Sequence, residues 1–374
     1  MATATQETHT TSSTVKLGPS EGRTEPKRYT SLDAYRGFIM VILASEGFGF
    51  SALRADSTWG SVARWFHHVP WEGGVFWDMI QPAFMFMVGL SMPFALARRK
   101  ELGTTGRDNF RHVLMRSLNL IILSQIIIWV GAGRIKPQLI NVLSQIAFTY
   151  IITYLLLKLP WRYQAVAAMV ILAGWTALFF AFPGPDGPLS HRNHIGLVVD
   201  RAIFHYDYDP AYSTLNFLPS TIWTLGGAWV GRLLMQSRAH AENLKKLAGG
   251  MVLSFVVAFA LRPWIPFIKQ LCTASFILYS LGWVLFMLIG FYVVIEVLGY
   301  RKWTFPLLVV GMNSIFIYFV SEVLHGWLDH AVGVFTFHYS FIGKLAPVVQ
   351  ATTVLLVMWY LCYWLYRRRI FLKL

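Results

Sequence analysis

The chain is poor in charge. Of its 374 residues, 13% are Asp, Glu, Lys or Arg, while 56% are hydrophobic. Soluble domains carry about 25% charged and about 45–50% apolar residues. This balance excludes a water-soluble fold, although the length alone would suit two domains. Cysteine is scarcer still: Cys272 and Cys362 are the two present, too few and too far apart for a disulfide framework or a Cys-based metal site. There is no HExxH and no CxxC, so no metal is expected. Residues 1–30 lack an apolar run. They are rich in Thr, Ser, Glu and Lys and read as a disordered cytosolic tail, not a cleavable leader.

Apolar runs are what the sequence has in quantity. A membrane-spanning helix needs about 20 mainly apolar residues. On that rule about ten are expected, at 34–53, 76–97, 111–130, 138–157, 163–182, 214–236, 247–266, 274–298, 305–326 and 346–366. The expected fold is all-α: a polytopic helical membrane domain over 31–374. Fifteen tryptophans suit a protein with two membrane–water interfaces to anchor. Pro82, Pro93, Pro219 and Pro306 fall in or beside these runs, a position that membrane helices tolerate when neighbours satisfy the freed backbone.

The net charge of +14 is better explained by topology than by nucleic acid, because the basic residues lie mainly between apolar runs. With the N-terminus inside, 22 lysines and arginines fall on inner segments and nine on outer ones, Arg116 lying within a run. That bias places both termini in the cytosol and asks for an even number of helices. Two outer segments, 54–75 and 183–213, are long enough to carry a site.

Four places hold chemistry. The first is His67-His68-Val69-Pro70-Trp71-Glu72-Gly73-Gly74 with Asp78 beyond it. A histidine and an aspartate flanking a Gly-Gly turn can fold back on each other, the carboxylate fixing the imidazole's tautomer for proton transfer. The bland alternative is a pair of exposed loop histidines beside an interfacial tryptophan. Second, Glu46, in the outer half of the first run, and Glu322, in the ninth after Asn313-Ser314, are ionisable groups inside a membrane, where charge is costly and points to function. For Asn313 and Ser314, helix–helix hydrogen bonding competes with ligand contact. Third, Asp33 and Arg36 share one face at the start of the first run, as a local ion pair or as part of an anion site. Fourth, Arg98, Arg99, Lys100, Arg107 and Arg111 form a loop that satisfies the positive-inside rule and would also suit a phosphorylated donor. Gly227-xxx-Gly231 reads as a close helix contact.

These residues carry a resemblance. His68-x-x-Trp71-x-Gly73, running on to Asp78, Pro82, Phe84, Phe86, Gly89 and Ser91, resembles the transmembrane acyltransferases typified by heparan-α-glucosaminide N-acetyltransferase. Leu32-Asp33-Ala34-Tyr35-Arg36-Gly37 is similar to that family's opening helix. Gly311-Met312-Asn313-Ser314-Ile315 with Tyr318 and Glu322 is similar to its penultimate helix, and Leu365-Tyr366-Arg367-Arg368-Arg369 to its basic end. Tyr208-Asp209-Pro210 matches more loosely. The pattern departs where Gly47, beside Glu46, replaces a family asparagine, and where Ser144-Gln145 replaces a Gln-Arg pair.

The resemblance implies transfer of acetyl from cytosolic acetyl-CoA, a co-substrate, to an amino sugar or saccharide on the far side. It places the active-site histidine on His68 and its aspartate on Asp78. Substrate or acyl contacts are then expected from Glu46, Asn313, Ser314 and Glu322, and contacts to the CoA phosphates from Asp33, Arg36, Arg98 and Arg99. A bacterial inner-membrane protein without the lumenal domain, surrounded by lipid and forming a homodimer, is the matching expectation. The competing class is a proton-coupled transporter relaying through Glu46, His68, Asp78 and Glu322.

Overall fold

The computed structural model describes residues 29–205, 212–236 and 239–372. The first 28 residues of the expected tail and Tyr208-Asp209-Pro210 lie outside them. The described residues are helical and contain no strand. The long helices are α1 (Thr30–Ala44), α2 (Ile80–Glu101), α3 (Gly106–Ala132), α4 (Val142–Leu156), α5 (Trp161–Ala181), α6 (Phe217–Gln236), α7 (His240–Leu261) and α8 (Ala274–Tyr292). After them come α9 (Phe305–Met312), α10 (Ser314–Thr336) and α11 (Ala346–Arg367). Seven helical spans are long and apolar enough to cross a membrane. Apolar side chains cover the outside as well as the inside. Val170, Leu253, Trp327 and Phe335 are all exposed, an arrangement favourable only where the solvent is lipid. This is an all-α polytopic membrane protein.

Local chemistry sets the helix ends. Thr105 and Asp108 start α3 with reciprocal side-chain-to-backbone bonds of 3.2 Å, and Gly133 ends it in a left-handed turn. The Asn141 side chain accepts from Leu143 N at 2.9 Å to start α4. The cap of α1 comes from far along the chain: Glu296, in the π-helical turn after α8, accepts from Ser31 N at 2.9 Å and faces Arg301 at 3.4 Å. A carboxylate at a helix N-terminus satisfies an orphan donor and complements the helix dipole.

Two of the expected spans are corrected by the structure. The first, 34–53, is α-helical only to Ala44. Glu46, Gly47, Phe48 and Gly49 then take positive φ angles and lead into a 3-10 helix, Gly47–Leu53. Glu46 therefore stands on a sharp turn beyond the helix, not within its outer half. Glycine is required there: a Cβ on Gly47 would press into the Phe66 ring, and one on Gly49 into the Pro347 carbonyl. The ninth span, 305–326, is broken at Asn313 into α9 and α10.

Close backbone contacts lock the bundle. A Cβ on Gly37 would overlap the Leu307 carbonyl, and one on Gly311 the Asp33 carbonyl, so α1 and α9 cross with main chains touching. Gly89, Gly227 and Gly231 do the same between α2 and α6, as the small-residue spacing of α6 predicts. Polar side chains join the helices inside: Ser124 to Ser144 at 2.8 Å and Thr149 to Thr224 at 3.0 Å.

The helices leave two distinct ends. One holds the start of α1 and the end of α2, with Arg36, Arg98 and Arg99. The other holds the segment between α1 and α2, with His68. The 22 residues of α2 separate the two by about 33 Å at 1.5 Å rise per residue.

Candidate active site

Two loops meet at the His68 end. Gly73 N donates to Phe267 O at 2.8 Å, Gln270 Nε2 to Pro70 O at 3.2 Å and Tyr279 Oη to Gly74 O at 3.3 Å. Glu72 and Ile268 form an antiparallel bridge. Gly73 sits at φ 124°, a conformation that only glycine adopts readily. The segment before α2 is thereby laid along the segment before α8, and its charged groups are brought together.

At that junction His68 Nδ1 lies 2.7 Å from Asp78 Oδ1. Lys269 Nζ lies 3.3 Å from the same oxygen and 3.1 Å from His68 Nδ1. Asp78 is wholly buried within a 3-10 turn, Phe76–Met79, where its second oxygen reaches back to accept from Val75 N at 3.2 Å. One arrangement of protons satisfies all three groups. Nδ1–H and the ammonium both donate to Oδ1, and the imidazole's Nε2 keeps its lone pair. The His68 side chain remains 49% accessible, so Nε2 is reachable. Burial pushes the His68 imidazole below its ordinary pKa; the Asp78 hydrogen bond opposes that, and the Lys269 ammonium reinforces it. Burial likewise pushes Lys269 down while Asp78 holds it up.

The imidazole lines a cavity of about 870 Å³, large enough for a drug-sized ligand. Glu46, Gln81, Asn141, Gln145, Asn216, Lys269 and Glu322 contribute its polar wall. The cavity extends past Phe84 and Tyr318, whose rings stack at 6.3 Å. Farther along α2 the side chains of Phe86, Met87 and Leu90 are buried core. Cys272 also lines the cavity, but burial pushes its thiol up to about 12, so it holds its proton and is no nucleophile.

Four of the residues singled out from sequence thus share one place. His68 and Asp78 are bonded to each other, and Glu46 and Glu322 line the same cavity. The others are elsewhere. Asn313 is buried at the α9–α10 break, where its Nδ2 donates to Ile370 O at 3.3 Å and its Oδ1 accepts from Leu372 N at 3.2 Å. It pins the end of the chain, and neither it nor Ser314 lines the cavity. Arg36 pairs with Asp33 at 3.6 Å. Arg99 Nε donates to Asn109 at 2.7 Å, and Arg98 is exposed. These four residues lie at the opposite end of the bundle. The second segment expected outside, 183–213, contributes Tyr212 and Ser213 to the cavity wall, with Asn216 just beyond it, while its Asp200 is engaged by Thr214 N at 2.9 Å.

Sequence reasoning missed Lys269. Its one signal was a lysine within the apolar stretch Trp264-Ile265-Pro266-Phe267-Ile268 through Leu271. Nothing local tied it to a histidine 201 residues away.

A helical membrane bundle with a His–Asp–Lys cluster on an internal cavity defines the class. The chain matches the family described as "Heparan-alpha-glucosaminide N-acetyltransferase, catalytic" over residues 28–264, and it belongs to that family. It is 22% identical over 419 residues to the heparan-alpha-glucosaminide N-acetyltransferase of Homo sapiens, covering 93% of this chain and 60% of the relative. The mouse protein of the same name is 21% identical over 426 residues, covering 95% and 62%. The chain therefore spans about 60% of the length of the curated relatives it matches.

Proposed function

We propose that the chain is a membrane acetyltransferase that takes acetyl from acetyl-CoA and places it on the amine of an amino sugar or related saccharide, with His68 as the reactive imidazole. The observation that carries this reading is the 2.7 Å bond between His68 Nδ1 and Asp78 at the wall of a cavity. Asp78 holds the Nδ1 proton and stabilises positive charge on the ring, which leaves Nε2 to work. Nε2 removes the proton from the attacking amine and hands it to the departing thiolate, or it takes the acetyl group itself and passes it on. Lys269 keeps the resting ring neutral. Glu46 and Glu322 favour a cationic acceptor.

The charge bias of the loops supports a sided arrangement, with the cavity outside the cytosol and the basic end inside. Arg36, Arg98 and Arg99 would then meet the CoA phosphates as charge-assisted pairs. The thioester has to cross the packed layer between the ends. Asn313 Nδ2 spends one N–H on Ile370 O, and its second N–H would donate to a thioester carbonyl.

Purified protein in liposomes, given acetyl-CoA and glucosamine, is expected to release CoA thiol, and His68→Ala to reduce the rate to background with an unchanged melting profile. Wild-type rates from His68→Ala defeat the assignment. Proton-coupled uptake without any acyl donor would turn the reading toward transport.

A further inference from the structure

At the wall of the cavity that His68 lines stands a second histidine–carboxylate pair that sequence reasoning did not single out. Glu46 Oε1 lies 3.3 Å from His325 Nδ1. Glu46 is held at φ 48°, ψ 43°, a left-handed conformation that is costly for a side-chain-bearing residue. Strain of this kind persists where the surroundings impose it, and it clusters at functional sites. The turn leaves the Glu46 side chain 64% accessible and lining the cavity, while His325 behind it is 14% accessible. The other ring nitrogen, Nε2, is buried with no partner among the described residues. Glu322, one turn before His325 on α10, brings a second carboxylate to the same cavity. The wall's other charged or imidazole groups are His67, His68, Lys136 and Lys269, and Tyr212, Tyr318 and Cys272 are its remaining titratable side chains. Farther along α10, Asp329 is engaged by Gln350 at 2.9 and 3.1 Å.

Resting on the acetyltransferase reading, we propose that Glu46 and Glu322 form an ammonium subsite, and that His325 receives through Glu46 the proton the acceptor must lose. The pair mirrors His68–Asp78 with the roles exchanged: the carboxylate faces the cavity and the imidazole supports it. The protons balance. With the neutral His325 ring carrying its proton on Nε2, the acceptor's ammonium gives one proton to a Glu46 oxygen, and Glu46 passes it to His325 Nδ1, leaving an imidazolium–carboxylate pair. The freed amine lone pair forms the N–C bond to the acetyl carbon as the C–S bond breaks. His68 takes the amine's second proton and delivers it to the thiolate. One proton remains on the His325–Glu46 pair for each turnover and leaves to solvent by way of the Glu46 carboxylate, which is the accessible member. His325 is thus a positioning and proton-relay residue that touches no substrate atom.

The test uses acceptor basicity, which a purely structural role ignores. Glucosamine is mostly an ammonium at neutral pH, whereas hydroxylamine is mostly a free base. CoA release is measured with each acceptor for wild type, His325→Gln, Glu46→Gln and His68→Ala. His325→Gln is expected to lower kcat for glucosamine by about tenfold or more, to stay within about twofold of wild type for hydroxylamine, and to regain activity toward glucosamine as the pH is raised; Glu46→Gln, which also alters the subsite, is expected to lower turnover of glucosamine by at least about tenfold more than that of hydroxylamine. If His325→Gln does not fold, Glu46→Gln decides alone. Equal losses with both acceptors, no loss with either, or wild-type transfer to hydroxylamine but not to glucosamine each overturn the relay. Wild-type release no greater than that of His68→Ala with both acceptors overturns instead the acetyltransferase reading on which it rests.

Discussion

At the His68 end, an imidazole, a carboxylate and an ammonium lie within 3.3 Å of one another, with Asp78 and Lys269 almost wholly buried. At the opposite end, Arg98, Lys100, Arg107, Arg111, Arg301 and Lys302 are spread over the surface and exposed. There Asp33 answers Arg36 from three residues away. The groups are chemically alike, but their settings differ. Buried charges are stable only when they satisfy one another, so each one sets the protonation of the next. Exposed charges are screened by water and salt and act almost independently. The first setting suits proton transfer, and the second suits gripping or repelling an anion.

Variants that break this contrast should show it in graded effects. The largest is expected from Asp78→Asn. It removes the shared partner of His68 and Lys269, and acetyl transfer should fall by roughly 10³-fold. A fall of less than tenfold in steady-state CoA release would contradict the orienting role. Lys269→Met should cost less, roughly 10–100-fold, and should also move the pH profile. In the proposed mechanism neutral His68 is the working form, and burial and the ammonium both hold its pKa below the ordinary value of about 6.5. The acid limb of kcat/KM should therefore lie below that value in the wild type. Without the ammonium His68 keeps its proton to higher pH, so the limb should move upward; a downward shift is the wrong sign.

At the other end, Arg98→Gln with Arg99→Gln should raise the KM for acetyl-CoA by about tenfold, the scale of one charge-assisted contact, and leave kcat unchanged. A drop in kcat with constant KM would remove these arginines from donor binding. Smallest for activity is Glu296→Ala, which uncaps α1 far from the cavity. It should cost about 1 kcal/mol of stability, read as a lower melting temperature, with turnover per folded molecule unaltered.

Much of the architecture was legible in the sequence because the bilayer demands it: apolar runs must satisfy their own backbone, and a helix does so locally. Each apolar run contains a helix in the structure. The errors fell where local pattern and chain path diverge. Hydrophobicity carries through Phe48 and Phe50, yet the positive φ angles at 46–49 end the helix at Ala44. The π-helical turn that lets Glu296 reach Ser31 leaves no periodic trace either. In the site, His68 and Asp78 are ten residues apart around a glycine turn, a spacing short enough to suggest contact. His325 had a weaker signal, three residues after Glu322 on one helix face.

Sequence by itself determined the membrane-helical class and the uneven spread of basic residues, and it suggested that His68 and Asp78 could meet. These depend on composition, short loops and local hydrogen bonding. Tertiary structure alone decided that Lys269 completes the cluster, that Glu46 and Glu322 share its cavity while His325 stands behind Glu46, and that Asn313 ties down the chain's end. Those contacts depend on which loops and helices meet, and a polar group whose partner lies 200 residues away carries no mark of that partner in its neighbours.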